Sequence, residues 1–259
     1  METIMTILVT FFAGMGAGLG TGFAGMSAAA VISPMLITFL GIDPYMAVGI
    51  ALSSDVLASA VSAYTYHKNK NLDIKNGLIM MASVLVFTVV GSYVASLLPS
   101  ATMGGFSVFM TFLLGIKFIV RPVMNTKESM AETSAKKRAI QSIICGIIIG
   151  FICGFVGAGG GMMMLLILTS VMGYELKTAV GTSVFIMTFT ALTGAISHFK
   201  IGGTPPNILT WVLCIVFTLI WARIAAVFAN KAKPKTLNRA TGIILVVLGV
   251  VIMGFQFLH

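Results

Sequence analysis

The chain has 259 residues, of which 58% are hydrophobic and only 9% are charged. Soluble domains carry about 25% charged residues, so this composition excludes a soluble globular protein. The net charge of +9 does not indicate nucleic-acid binding, because the Lys and Arg residues lie mostly in short links between apolar stretches, where they report membrane topology.

Ten apolar segments follow one another along the chain, and several are long enough to cross a bilayer, which takes about 20 apolar residues. We predict helices at 4–20, 26–40, 45–66, 76–98, 101–121, 138–154, 161–172, 177–199, 206–229 and 238–257. The pattern predicts an all-α, polytopic membrane protein. Three cysteines lie inside these segments without CxxC spacing, which favours small buried side chains over a metal site.

The two halves of the chain are related by a shift of 132 residues without gaps. The shift places Gly14, Gly18, Gly22, Phe23 and Gly25 on Gly146, Gly150, Gly154, Phe155 and Gly157, and Ala47-Val48-Gly49 on Ala179-Val180-Gly181. Internal repeats are a common plan for transporters. We predict a first repeat at 1–121, a linker at 122–137 and a second repeat at 138–259.

Charge predicts how the repeats are oriented. We number each link between two segments by the segment that it follows. Links three, five and nine are strongly basic, and the positive-inside rule therefore places them in the cytoplasm. The neutral fourth link, LLPSATMGG, corresponds to the basic ninth, so equivalent links lie on opposite sides. We therefore predict inverted repeats in the cell membrane, with the central linker in the cytoplasm and both termini outside.

Two glycine clusters, GFAGMSAAA (22–30) and GFVGAGGGMMM (154–164), interrupt the apolar stretches at equivalent places in the two halves. The segment at 161–172 gives about 18 Å of helix, which is too short for a hydrocarbon core about 30 Å thick. Each cluster is predicted to join broken or re-entrant helices. Non-helical backbone at that depth is tolerated only where it is packed in protein or lines a cavity.

These clusters are also candidate anion sites. A helix start exposes unpaired N–H groups and partial positive charge, and glycine lets an anion approach them. Close helix packing is the alternative for the glycines, and bonding back to the helix carbonyls is the alternative for nearby hydroxyls. The predicted substrate-binding residues are Gly25, Met26, Ser27, Ser53, Ser54, Gly159, Gly160, Gly161, Thr182 and Ser183.

Asp55 is the acidic residue that lies in mid-segment, and its repeat counterpart is Met187. A carboxylate in hydrocarbon is costly and marks a functional candidate. We predict that Asp55 carries a coupling proton, with cation binding or structural pairing as alternatives. Because an unpaired anion would repel an anionic substrate, Asp55 is expected either to be protonated at the site or to lie away from it.

The blocks GFICGFVGAGGGMMMLLIL and GYELKTAVGTSVFIM, with degenerate versions in the first half, resemble the TauE/SafE sulfite-exporter-like family of membrane permeases. The resemblance implies transport of small sulfur-containing or organic anions, such as sulfite, sulfonates or sulfoacetate-like compounds, coupled to an ion gradient. Family members commonly carry a proline after the second glycine block, where this chain has Leu165-Leu166.

We therefore predict a secondary anion transporter that works by alternating access. No Walker-type loop, HExxH motif or Ser/His/Asp pattern occurs, so we predict no enzymatic activity, no cofactor and no metal. The expected partners are a small anion and the lipid bilayer, with a homo-oligomer left open. The alternatives are a passive anion channel and a membrane-embedded enzyme acting on lipid or phosphate headgroups.

Overall fold

The structure, a computed structural model, describes residues 2–96, 104–131, 133–156, 160–202, 205 and 207–257. Its helices are α1 (Glu2–Ala24), α2 (Ala29–Leu40), α3 (Pro44–Lys68), α4 (Ile74–Ser96), α5 (Gly104–Val120), α6 (Lys127–Ala131), α7 (Ala135–Val156), α8 (Gly160–Ser170), α9 (Leu176–Gly202), α10 (Ile208–Lys231) and α11 (Pro234–Phe257). Within these ranges six helices are long and apolar enough to cross a membrane, and no strand occurs. The predicted all-α, polytopic class is confirmed.

Each predicted segment overlaps one of the long or medium helices, and α6 is an additional short helix inside the predicted linker. α1 continues past the predicted end at residue 20 to Ala24, although this stretch contains Gly22. Glycine is a weak helix former, but tertiary packing overrides propensity, and here α1 packs closely on α10. α7 likewise begins at Ala135, ahead of the predicted start of the second repeat at 138.

The helices of the two halves correspond one to one at the 132-residue shift: α1 to α5 match α7 to α11. Their packing corresponds as well, since α1 packs on α10 as α7 packs on α4. α3 packs on its own counterpart α9, and α5 on its counterpart α11. This is the pattern that two related halves would produce, while their inversion across a membrane stays a prediction.

Close packing of the α1–α10 and α7–α4 pairs depends on glycines spaced four residues apart. A Cβ built on Gly18 would lie 2.6 Å from the Thr218 carbonyl oxygen, and one on Gly150 would lie 2.6 Å from the Val84 carbonyl oxygen. Real Cβ atoms do not come so near to backbone, so a larger residue would push the helices apart. These glycines are therefore helix-packing positions, as their spacing indicates.

We expect Gly18→Ala to lower the Tm of the purified protein by about 2–10 °C, because overpacking costs about 1–3 kcal/mol. The matched control is Gly254→Ala, since no atom lies within 4 Å of a Cβ built there. Thermal unfolding in detergent measures both. Equal Tm values for the two variants would contradict the close contact between α1 and α10.

The links between helices meet on a surface that we call the basic face. It is formed by link three (69–73), link five (121–134), link seven (171–175) and link nine (232–233). Asn71 Nδ2 donates to Asn230 Oδ1 over 2.6 Å at the end of α10, and Lys127 Nζ donates to the carbonyl oxygen of Lys70 over 2.9 Å. Links three, five, seven and nine therefore share one face, and its location in the cytoplasm stays a prediction.

Tyr174 connects link seven to link three on this face. Its hydroxyl donates to Asp73 Oδ2 over 2.8 Å. Burial, followed by the neighbouring Asp73 carboxylate, raises the pKa of Tyr174, so the phenol keeps the hydrogen that it donates.

A hydrogen bond to a charged group contributes about 1.5–3 kcal/mol, so we expect Tyr174→Phe to lower the Tm by about 3–12 °C. The control is Tyr64→Phe, because Tyr64 is 67% exposed. A Tm for Tyr174→Phe that matches the control would show that this hydrogen bond does not hold links three and seven together.

The opposite face contains a groove of about 820 Å³ between the start of α1, the end of α2 and the start of α10. It is lined by Ile4, Met5, Thr6, Leu8, Phe39, Leu40, Ile42, Asn207 and Thr210. None of the predicted substrate-binding residues lines this groove. It is therefore separate from the two glycine clusters.

Candidate functional site

The first break in the helices begins at Gly25, directly after α1. Gly25 has a φ of 61°, in the left-handed region that favours glycine. Its amide donates to the Thr21 carbonyl oxygen over 2.9 Å, and the Met26 amide donates to the Gly20 carbonyl oxygen over 3.2 Å. Both of these predicted substrate-binding amides therefore serve to end α1, and α2 begins four residues further on.

The side chain of Asp55, which belongs to α3, lies against the start of α2, beside the first break. Ser27 Oγ donates to Asp55 Oδ2 over 2.8 Å, and the backbone amide of Ala28 also hydrogen-bonds the carboxylate. Ser59 Oγ donates to Oδ1 over 2.9 Å, and Asp55 is only 1% exposed. A carboxylate is favoured at a helix N-terminus, so α2 already holds an anionic group of the protein itself.

The start of α8, which follows the second glycine cluster, lies against the first break. A Cβ built on Gly161, in the first turn of α8, would overlap the Gly25 carbonyl oxygen and lie 3.2 Å from the Ser27 amide nitrogen. Only glycine permits this approach of the two backbones. The starts of α2 and α8 are therefore neighbours in the interior. Gly160 is the first residue of α8, and the predicted Gly159 lies outside the described residues.

The two helix starts differ in the side chain that accompanies them. A Cβ on Gly161 would lie 2.7 Å from Met187 Sδ, and Met187 is the repeat counterpart of Asp55. The start of α2 is thus matched with a carboxylate and the start of α8 with a thioether, which is at most a weak acceptor. The partial positive charge at the start of α8 is not offset by this side chain.

Ser183 on α9 stands between the two breaks and is fully buried. Its Oγ is 3.4 Å from the Gly25 carbonyl oxygen and 3.5 Å from the Gly161 carbonyl oxygen. Both distances are long for a hydroxyl donor, so neither bond is strong. Of the predicted hydroxyls, Ser27 and Ser183 are the two that the structure brings to the meeting point of the breaks.

The other three predicted hydroxyls have partners elsewhere. Ser53 Oγ donates to the Ile50 carbonyl oxygen over 2.7 Å and accepts from the indole N–H of Trp211. Ser54 Oγ also donates to the Ile50 carbonyl oxygen, over 2.9 Å. Both hydroxyls therefore bond back to a carbonyl oxygen of their own helix, which was the alternative to substrate binding.

Thr182 lies towards the basic face rather than at the breaks. Its Oγ1 accepts from the backbone amide of Asp73 over 3.2 Å. This residue therefore joins α9 to link three, although it is adjacent in sequence to Ser183.

Sequence reasoning missed Ser59, which holds one oxygen of the Asp55 carboxylate. Its position four residues after Asp55 was the available signal, because residues four apart are neighbours on a helix face. Among the described residues no group of three or more His, Cys, Asp or Glu side chains is placed to hold a metal ion. The three cysteines, Cys145, Cys153 and Cys214, are unbridged and at least partly buried.

Comparison with known proteins gives a consistent result over most of the chain. The family model described as "Sulfite exporter TauE/SafE" matches residues 10–252. The "Probable membrane transporter protein YunE" of Bacillus subtilis (strain 168) is 25% identical over 245 residues, covering 90% of this chain and 89% of that protein. "Probable membrane transporter protein YdhB" of the same organism is 24% identical over 250 residues, covering 96% and 100%. No solved structure gives a significant match.

Proposed function

Since the chain belongs to the sulfite exporter TauE/SafE family of multi-pass membrane transporters, we propose that it is a secondary transporter of small sulfur-containing anions. The substrate class is that of sulfite, sulfonates or sulfoacetate-like compounds. The family and the relatives are transporters by description and not enzymes, which removes the headgroup-modifying enzyme from the alternatives.

The observation that carries the proposal is the contact between the starts of α2 and α8. Two helix starts that face one place supply N–H groups and partial positive charge from opposite sides, which suits a small anion. Glycine at 161 lets the two helix starts approach each other this closely, and Ser27 is partly exposed next to them. Ser183 supplies a further hydroxyl from α9.

Asp55 would couple this site to protons. As a carboxylate it accepts from Ser27 Oγ and from the Ala28 amide, so it competes with a substrate anion for the same donors. When protonated, it loses its negative charge and leaves those donors to the substrate. Binding of the anion and binding of the proton would then favour each other, as cotransport requires.

Alternating access would follow from movement of one half against the other about the shared site. The one-to-one match of helices and of their packing partners between the halves supports this proposal. The non-helical backbone of the first break is buried in protein at Gly25 and Met26, which is the condition under which a membrane protein tolerates it.

Counterflow in proteoliposomes tests the transport proposal. Vesicles loaded with unlabelled sulfite should accumulate labelled sulfite from outside, whereas an anion channel would show no stimulation by internal sulfite. Equal labelling of loaded and empty vesicles would overturn the proposal for this substrate.

We expect Ser183→Ala to raise the KM for sulfite counterflow by about 2- to 10-fold, because one neutral hydrogen bond contributes about 0.5–1.5 kcal/mol. The control is Ser197→Ala on the same helix, since Ser197 Oγ bonds back to the Thr193 carbonyl oxygen and is exposed. A KM for Ser183→Ala equal to that of the control would remove Ser183 from the binding site.

A further inference from the structure

We propose that, in the conformation of this structure, Asp55 exchanges its proton with the basic face and not with the opposite face, along a buried polar stripe of α3 that holds an ordered water beside Ser62. The role of this proton exchange in transport rests on the proposed function. The geometry from which the route is inferred does not depend on any substrate. It assigns a proton route, a water site and one side of the protein to the carboxylate.

The polar stripe consists of Ser59, Ser62 and Tyr66, which follow Asp55 at intervals of three or four residues. Residues so spaced are neighbours on one face of a helix. All three are fully buried. The stripe is anchored at both ends, since Ser59 Oγ donates to Asp55 Oδ1 over 2.9 Å and Tyr66 OH donates to the Gly22 carbonyl oxygen over 2.8 Å.

The middle of the stripe lacks a hydrogen-bond partner. Ser62 Oγ is buried and, among the described residues, makes no hydrogen bond. Leaving a buried hydroxyl unsatisfied costs about 1–3 kcal/mol, and proteins usually meet this cost with an ordered water that has two to four polar partners. Ser59 Oγ and the Tyr66 oxygen each keep an accepting lone pair. Helical side chains lean towards the helix N-terminus, which brings Tyr66 over Ser62.

In the other direction along α3 the same face is apolar. The residues four and eight positions before Asp55 are Ala51 and Ala47, and both are fully buried. Neither side chain can hydrogen-bond a water or pass a proton. The polar connection of Asp55 along α3 therefore leads towards Lys68 and the basic face, over about 20 Å of helix.

Among the described residues, no ionised side chain pairs with Asp55. Its carboxylate accepts hydrogen bonds from Ser27, Ser59 and the backbone amide of Ala28. α3 packs against α1, α2, α9 and α10. Apart from Asp55, the titratable or charged residues on these five helices are Glu2, Tyr45, Tyr64, Tyr66, His67, Lys68, Lys177, His198, Lys200, Cys214, Arg223 and Lys231. Of these, Tyr66 lies on the stripe, so it is the one whose own titration could alter the route.

The proton step is balanced within these groups. A hydronium ion at the basic face gives a proton to the Tyr66 oxygen as Tyr66 turns its own hydroxyl hydrogen from the Gly22 carbonyl oxygen to the water beside Ser62. That water donates a proton to Ser59 Oγ as Ser59 gives its own hydroxyl hydrogen to Asp55 Oδ1. The net change is that the carboxylate becomes a carboxylic acid and the hydronium ion becomes water, with no other reactant.

Infrared spectroscopy of uniformly oriented proteoliposomes tests the route without any transported anion. The carboxylic acid C=O band of Asp55 is identified by its loss in Asp55→Asn, and orientation is checked by trypsin cleavage at the exposed Lys136 and Lys137. Each side is acidified in turn by rapid mixing. We expect the band to appear at least about tenfold faster from the basic face, which corresponds to a barrier difference of about 1.4 kcal/mol. Equal rates from both sides, or faster protonation from the opposite face, would overturn the proposal.

Two variants of similar shape isolate the hydroxyl of Ser62. Ser62→Thr keeps the hydroxyl and should retain the wild-type rate, whereas Ser62→Val should slow protonation from the basic face by about tenfold or more, as expected for loss of one relay hydrogen bond. Ser33→Val is the control, because Ser33 is the other buried hydroxyl without a partner in the described part of the chain and lies on α2. Equal rates for the Thr and Val variants would refute the water site.

The proposed function is measured separately in the same vesicles. One-sided protonation of Asp55 without sulfite counterflow would support the proton route and refute sulfite transport. Sulfite counterflow together with equal rates of protonation from both sides would support sulfite transport and refute the proton route.

Discussion

Asp55→Asn is expected to give a folded protein that still exchanges sulfite but no longer accumulates it in response to a pH gradient. Asparagine has nearly the same shape as aspartate and can hydrogen-bond Ser27 and Ser59, so the start of α2 should stay in place. It cannot take up a proton. Exchange of one anion for another needs no net proton movement, whereas accumulation against a gradient does.

The measurement compares two modes of transport in the same vesicles. Counterflow at equal pH should remain within about threefold of the wild type, and uptake driven by an imposed pH gradient should fall by at least about tenfold, since the cycle loses its differential binding of protons. Asp43→Asn is the control, because Asp43 caps α3 from an exposed position and asparagine caps a helix equally well. Gradient-driven uptake that survives in Asp55→Asn would assign coupling to another group.

Gly161→Ala is expected to abolish sulfite transport. The added methyl group would overlap the Gly25 carbonyl oxygen, which is backbone and cannot move aside as a side chain can. Met187 can shift its thioether, but the two helix breaks would have to separate. Overpacking of this kind costs about 1–3 kcal/mol, and here it alters the place where both helix starts meet.

Counterflow of Gly161→Ala should fall to the level of protein-free vesicles, while its Tm falls no further than that of Gly18→Ala. The comparison separates damage to the site from general loss of stability, because Gly18 contacts Thr218 on α10, away from both breaks. Gly18→Ala should retain counterflow once reconstituted. If Gly161→Ala transports as well as Gly18→Ala, the contact between the breaks is not the substrate site.

The helices and the breaks could be predicted because they depend on local properties of the chain. Apolar runs of about 20 residues specify the long helices, and the first glycine cluster ends α1 at Ala24, directly before Gly25. The 132-residue shift predicts the positions of the second-half helices from those of the first half. These features do not require knowledge of which helices are neighbours.

The hydrogen-bond partners could not be predicted, because they depend on how the helices dock. The position of Asp55 at the start of α2 follows from the packing of α2 on α3, and the expectation that it is protonated there stays a prediction. Thr182 pairs with the Asp73 amide only because link three folds against α9. Two adjacent residues of one motif, Thr182 and Ser183, therefore contact different parts of the protein: Thr182 contacts link three and Ser183 contacts the helix breaks. The motif alone does not indicate this difference.

The difference between Asp55 and Met187 has an electrical consequence for the proposed cycle. Because a thioether takes up no proton in the physiological range, the paired helix starts would move one proton for each anion. A singly charged anion would then travel as a neutral unit, and membrane voltage would not affect its rate. A doubly charged anion such as sulfite at alkaline pH would carry net current, so the membrane voltage would contribute to the driving force for its transport.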